Sequence, residues 1–307
     1  MIHSLTTHPL KITPYKKSMS CSMQDISTRL KESTLMTFET RVENHILPSI
    51  GHKIIHKITT RELQELVNSW ANKGSLPMLI NNLKRLFKYA QKINALDSNP
   101  INGVIFPSKR KKKKDKKFWS KQELLIFLET TKNHANPVVY PLFRTLAFCG
   151  IRKGEALALS WEDVDIKNKQ IKIHRNISRT KNRQIITTTK TNTSRLISID
   201  DETLNVLLDI KGDNDLVFHQ ANGKTINTQT PYVWMNRICD TLDIERISVH
   251  GLRHTHASLL FEAGASIKEV QHRLGHANIR MTMDVYTHVT RQSRDDFAEK
   301  FANFIDF

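Results

Sequence analysis

The chain has 307 residues, long enough for two domains with a sizeable core in at least one of them. Its 47 Lys and Arg against 30 Asp and Glu give a formal charge of +17, and a field of that size attracts polyanions, of which nucleic acid is the commonest inside cells. There is no apolar run of about 18 residues and no secretory h-region, and Cys21, Cys149 and Cys239 form no CxxC pair. These features exclude a membrane-spanning helix, a signal peptide and a disulfide frame, and lead us to expect a cytoplasmic protein with reduced thiols.

Residues 1–25 show no sustained period and are expected to be a poorly ordered leader. From residue 26 to 107 the pattern is helical. Leu35, Phe38, Val42 and Ile46 recur at three- and four-residue steps before Pro48 and Gly51. "TTRELQELVNSW" opens with a capping box, Thr59 to Glu62, in which each side chain satisfies the other residue's free backbone donor. In "LINNLKRLFKYAQKI", Leu79, Leu83, Leu86, Phe87 and Ala90 form one stripe, with Lys84, Arg85 and Lys88 off it. The segment reads as a small helical bundle with a basic outer face.

Residues 108–117 read as a linker. From Lys109 to Lys117 there are eight basic residues and one acidic, a run that repels itself and cannot pack. Lys109, Arg110, Lys111, Lys112, Lys113 and Lys114 are either a solvated hinge or a strap along phosphates, and the two readings are compatible. A second domain spans 118–307. It begins with another capping box, Ser120 to Glu123, and continues helical through "YPLFRTLAFCGIRKGEALAL". "QIKIHRNI", "RQIITTTK" and "RLISI" then alternate and are rich in Ile and Thr, predicting a three-stranded antiparallel sheet, before helices return near residue 230. The order makes the chain mainly α with a small antiparallel sheet, an α+β class.

Chemistry concentrates in the second domain. Arg152 stands at a helix start after an apolar run, where a buried guanidinium needs an anion; Glu155 can supply it, or can brace the helix while Arg152 faces a phosphate. His250, Arg253, His254 and His256 crowd the start of another helix, whose free N–H groups already favour an anion. His250 and His254 are four apart, as zinc ligands can be, but no carboxylate lies between them and Arg253 repels a dication. "ASLLFEAGASIKEVQHRLG" also looks like a helix-turn-helix, which gives a competing reading as a non-catalytic DNA binder. A third capping box, Ser266 to Glu269, leads to Gly275 as a helix stop, then His276, then Tyr286.

The blocks "GIRKGEALALSW", "TKTNTSRLISI", "HGLRHTHASLL" and "LGHANIRMTMDVYTHV", in this order, resemble the catalytic domain of the tyrosine recombinases, also called phage integrases. The resemblance covers roughly residues 118–290 and extends more loosely to the bundle, which looks like the family's SAM-like core-binding domain. It implies that Arg152 and Arg253 clamp the non-bridging oxygens of a scissile phosphate and that His276 hydrogen-bonds it. His250 would move the proton of the nucleophile, and Lys190 would protonate the departing 5′ oxygen, with Lys172 and Lys181 as other lysines of the same sheet region. Tyr286 would attack, forming a 3′-phosphotyrosyl link.

Such chemistry asks for no metal and no ATP, because a covalent link conserves the bond energy. The implied partners are double-stranded DNA, further copies of the chain in a tetramer on synapsed sites, and an accessory DNA-bending or excision factor. Integrases of temperate phages, genomic islands and conjugative transposons are the nearest in wording, with Xer-like chromosome-dimer resolvases the alternative. Many such integrases carry an arm-binding domain of a few strands and a helix ahead of the bundle; here only about 25 residues precede it, without strand alternation, so a short-form integrase or one that has lost or been trimmed of that domain is expected. The tail residues Phe297, Phe301 and Phe304 share helical spacing, which suits packing onto the chain itself or, as the resemblance implies, docking onto a neighbouring protomer.

Overall fold

A computed structural model describes residues 32–107, 118–180, 183–188, 194–290 and Ile305. The chain divides into two compact units, Met1–Lys112 and Lys113–Phe307. Among the described residues no helix is long and apolar enough to cross a membrane.

The first unit is helical, with α1 (Glu32–His45), α2 (Leu47–Ile50), α3 (Thr60–Ser69) and α4 (Leu76–Lys92). Phe38, Val42 and Ile46 meet Leu63, Val67, Trp70 and the α4 stripe Leu79, Leu83, Leu86, Phe87 and Ala90 in one core. Pro48 does not end the helical path. It lies in the first turn of α2, where its missing N–H breaks no bond. The Thr59 capping box forms in both directions, and Lys53 joins it by pairing with Glu62. That ammonium, together with the Thr59 amide, holds the Glu62 carboxyl down at about 2. Lys84, Arg85 and Lys88 are exposed on α4, as their place off the stripe implies. The Lys84 ammonium sits 4.0 Å from the Phe106 ring centroid, so its stem covers apolar surface while its charge stays wet.

The second unit begins with α5 (Lys121–Lys132), capped by Ser120, and α6 (Val139–Cys149). Gly150 ends α6 at φ 62°, and the single turn α7 (Lys153–Ala156) starts three residues later. The strands are β1 (Val164–Asp165), β2 (Gln170–Ile173), β3 (Arg175–Arg179), β4 (Gln184–Thr188) and β5 (Arg195–Ser198). They form two antiparallel sheets, β1-β2-β5 and the hairpin β3-β4, in place of the single three-stranded sheet that alternation predicts. The predicted strand "QIKIHRNI" breaks at His174. Its Nε2 lies 2.8 Å from Oδ1 of buried Asp163, and Arg175 donates to Oδ2 at 2.6 Å. Meeting the polar demand of a buried carboxylate turns the chain out of the first ladder and into the second. Ile171 then pairs with Ile197, and Ile177 with Ile186.

The rest is α8 (Asp201–Leu208), α9 (Thr230–Cys239), α10 (Gly251–Glu262), α11 (Ile267–Leu274) and α12 (Arg280–Thr290). Trp119, Phe127, Phe143 and Leu252 lie in the main core of the unit. A satellite cluster of Ala257, Val270, Leu274 and Val285 joins α10, α11 and α12. These three helices and the α6–α7 corner frame the site.

Candidate active site

Arg152 occupies the N-cap of α7, with its main chain extended at ψ 147°. Glu155, one turn on, is 1% exposed and accepts from the Arg152 amide at 2.9 Å and from its Nη1 at 2.8 Å. Gly154 lets this turn sit tightly on β3. A Cβ there would stand 2.3 Å from Asn176 Oδ1 and 2.7 Å from the Ile177 carbonyl oxygen.

Arg253 projects from the first turn of α10 and is 2% exposed. Its Nη1 donates to the Gly150 carbonyl at 2.8 Å and its Nη2 to the Leu274 carbonyl at 2.6 Å. The buried Nε makes no hydrogen bond among the described residues. Arg152 reaches the same corner, with Nη2 3.4 Å from the Gly275 carbonyl oxygen. Two main-chain corners, 150–152 and 274–276, are thereby tied together by two guanidinium groups. Burial, and then the charge of Arg152, pull Arg253 down to about 9, so it stays protonated at neutral pH in a strongly positive surround.

Gly275 stops α11 at φ 65° and turns His276 inward. His276 is 8% exposed, with Nδ1 2.9 Å from the hydroxyl oxygen of fully buried Thr282. Burial first, then the charges of Arg253 and Arg152, depress its pKa to about 3, so the imidazole is neutral at rest. His250 is exposed at the N-cap of α10, and its ring stands 5.0 Å from that of half-buried His254, edge to face. An open cleft of about 610 Å³ lies on the other side of the 275–276 corner, lined by Arg195, Lys268, Gln271, His272, Gly275 and His276.

Tyr286 lies on α12, one turn beyond Thr282, half-buried and packed edge to face on Phe261 at 5.1 Å between ring centroids. Tyr286 stands four positions after Thr282, so both face one side of α12. The helix carrying the tyrosine is thus registered by the hydroxyl that His276 contacts.

Three of the six residues singled out from the sequence, Arg152, Arg253 and His276, meet around the 150–152 and 274–276 corners, with His250 close enough for its charge to act on His276, and with Tyr286 on the adjoining helix. Lys190 lies outside the described residues, as do Lys181, the run Lys109–Lys114 and the tail residues Phe297, Phe301 and Phe304. Lys172 is exposed on β2. His256 does not belong to the imidazole cluster. It is buried and faces the other way, with Nδ1 2.8 Å from the Ala147 carbonyl oxygen, while Arg273 donates to its Nε2 at 3.0 Å. Burial and the Arg273 charge bring it down to about 4. Among the described residues no three His, Cys, Asp or Glu side chains gather as a metal-binding group. From Gly251 to Ser258, α10 is buried except for half-buried His254, so this part of it is a core helix.

Sequence reading missed Arg195. Its Nη2 donates to Glu155 Oε2 at 2.7 Å, its Nη1 to Oε1 at 3.3 Å and its Nε to the Arg273 carbonyl at 3.2 Å. A signal existed, because Arg195, Ile197 and Ile199 share one face at period two, and an arginine on the buried face of a strand needs an anion.

Residues 117–293 match the model described as the phage integrase family, and residues 23–71 match the phage integrase N-terminal SAM-like domain. The chain belongs to the phage integrase family. An integrase of Staphylococcus phage L54a is 28% identical over 311 residues, covering 90% of this chain and 88% of that protein. The ICEBs1 integrase of Bacillus subtilis (strain 168) is 26% identical over 282 residues, covering 86% of this chain and 75% of that protein. The fold is shared with the Tn1549 transposon integrase solved in complex with a circular intermediate DNA. The TM-score is 0.75 at 18% identity, covering 92% of this chain and 98% of that one. The mainly α fold with small antiparallel sheets and the identification as a site-specific DNA recombinase, both expected from the sequence, are borne out.

Proposed function

We propose that this integrase cuts and rejoins DNA through a phosphotyrosyl link on Tyr286, inserting and excising a mobile element. The observation that carries the reading is the junction of Arg152, Arg253 and His276 around the Gly275 corner, with Tyr286 on the helix that His276 contacts. A phenol of pKa ~10 is ionised in only about one molecule in a thousand at neutral pH, so attack on a phosphodiester needs a proton acceptor and a positive surround. Arg152 and Arg253 supply fixed positive charge where negative charge develops on the phosphate oxygens. His250 takes the phenol proton. The tyrosyl oxygen bonds to phosphorus as the bond to the 5′ oxygen breaks, and that oxygen takes a proton from Lys190.

His276 begins neutral because burial, and then the charges of Arg253 and Arg152, disfavour its protonated form. A phosphate anion between those arginines offsets their charges, so bound DNA raises its pKa and suits it to donate a hydrogen bond. Double-stranded DNA also fits the charge of +17 and the exposed Lys84, Arg85 and Lys88. Exchange between two duplexes requires four cuts, hence four tyrosines and a tetramer. The names of the phage and ICEBs1 relatives favour mobile-element integration over chromosome-dimer resolution.

The test is a nicked suicide substrate bearing the element's junction sequence, resolved on a denaturing gel. The wild-type chain forms a covalent adduct; Tyr286→Phe binds the site but forms none. An adduct that persists in Tyr286→Phe would remove this tyrosine from the chemistry.

A further inference from the structure

A buried carboxylate beside a phosphate clamp is a hazard. Glu155 is 1% exposed and lies within 2.8 Å of Arg152, so on its own it would neutralise the cation the reaction needs. Desolvation alone would raise its carboxyl, yet Arg195 and then Arg152 hold it below the usual carboxylate range, so it is ionised. A phosphate arriving at Arg152 would compete with this charge for the same guanidinium.

We propose that Arg195 is a positioning residue that satisfies the Glu155 carboxylate with a two-toothed grip, so that Arg152 keeps a net positive charge for the scissile phosphate. The inference rests on the recombinase reading of Arg152. Three observations support it. First, Arg195 makes two contacts to the carboxylate through its fork, at 2.7 and 3.3 Å, whereas the Arg152 side chain makes one. Second, Arg195 is only 10% exposed and all three of its nitrogens are engaged within the protein, the third on the Arg273 carbonyl. It is built in as a partner of Glu155, not presented as a phosphate ligand. Third, Arg152, Arg195 and Arg253 set against Glu155 leave the cluster two positive charges; without Arg195 only one would remain. The depressed Arg253 pKa, lowered in part by both of the other arginines, accords with that surplus.

The arrangement also explains why the carboxylate is there. Glu155 closes the first turn of α7 by accepting the Arg152 amide, which fixes the backbone from which Arg152 projects. The fold needs the carboxylate for orientation, and Arg195 offsets its electrostatic cost.

The test uses the full chain on the nicked suicide substrate, with adduct rate, site binding by mobility shift, and thermal melting measured together. Arg195→Met should form adduct about 100-fold more slowly while binding the site within about threefold, a loss on the scale of one transition-state donor. Glu155→Gln combined with Arg195→Met should recover about tenfold of that rate, because an amide no longer sequesters Arg152. A merely structural role predicts the opposite, since the double variant would be at least as impaired. Arg195→Lys, which keeps the charge but loses the planar fork, should fall between wild type and Arg195→Met. A double variant no faster than Arg195→Met overturns the proposal. Should Arg195→Met lose its cooperative melt, Arg195→Lys decides: a 100-fold slower adduct rate in a folded protein also overturns it. Absence of adduct from the wild-type chain would instead count against the recombinase reading itself.

Discussion

Gly154 offers the sharpest way to ask whether the placement of Arg152 governs the reaction. In Gly154→Ala the new methyl would stand 2.7 Å from the Ile177 carbonyl oxygen, about 0.7 Å short of the 3.4 Å at which ordinary contact begins. The overlap with Asn176 Oδ1 is larger, but that oxygen can swing away on its side chain; the carbonyl belongs to the β3 ladder and cannot. α7 is one turn long, so the displacement passes into Arg152 and Glu155 on either side. A shift approaching ~1 Å at a catalytic group costs on the order of 100-fold. We therefore expect Gly154→Ala to lower the single-turnover rate of adduct formation between about 10- and 100-fold while site binding changes less than about threefold. Gly212→Ala is the control, since a methyl there meets nothing within 4 Å. A wild-type adduct rate in Gly154→Ala would refute the link between the α7–β3 contact and the chemistry.

Two further outcomes follow from charge. His256 has its pKa held at about 4 against an ordinary 6.5, so the unfolded chain takes up its proton first, and stability is lost as pH falls from 6.5 towards 4. The shift corresponds to about 3 kcal/mol, and His256→Gln should flatten the fall in urea midpoint between pH 7 and pH 4.5; an equally steep fall would show that His256 is not its source. Changing Lys84 and Lys88 to Ala together should reduce the salt slope of site binding by about 2 with little change in melting temperature, as removal of two phosphate contacts requires, and an unaltered slope would take α4 off the DNA.

Capping boxes were the most legible features of the sequence. Thr59 with Glu62, Ser120 with Glu123 and Ser266 with Glu269 all form, because both halves of the signal lie within one turn and owe nothing to tertiary context. The α4 stripe was legible for a similar reason, since every position is read against one axis. What escaped depends on residues distant in the chain. The break between β2 and β3 is driven by Asp163, eleven positions before His174, and the partner of Glu155 that matters most lies 40 positions away at Arg195. His256 carried a misleading neighbourhood: two positions beyond His254 on a helix is a turn of about 200°, enough to send its ring into the core beneath Arg273. The histidines of α10 thus divide by helical phase, not by sequence proximity.

The grip of Arg253 on the Gly150 and Leu274 carbonyls bears on how this protein can change over generations. Every amino acid presents the same carbonyl, so exchanging side chains at those two positions removes neither acceptor. Adding or deleting a single residue at either bend moves both oxygens at once. Related chains should accordingly keep the lengths of these bends fixed, and engineered linkers or tags inserted there should abolish activity; the letters are constrained too, at Gly150 by its φ of 62° and the 2.4 Å a Cβ would leave to the His256 ring, and at Leu274 by its burial.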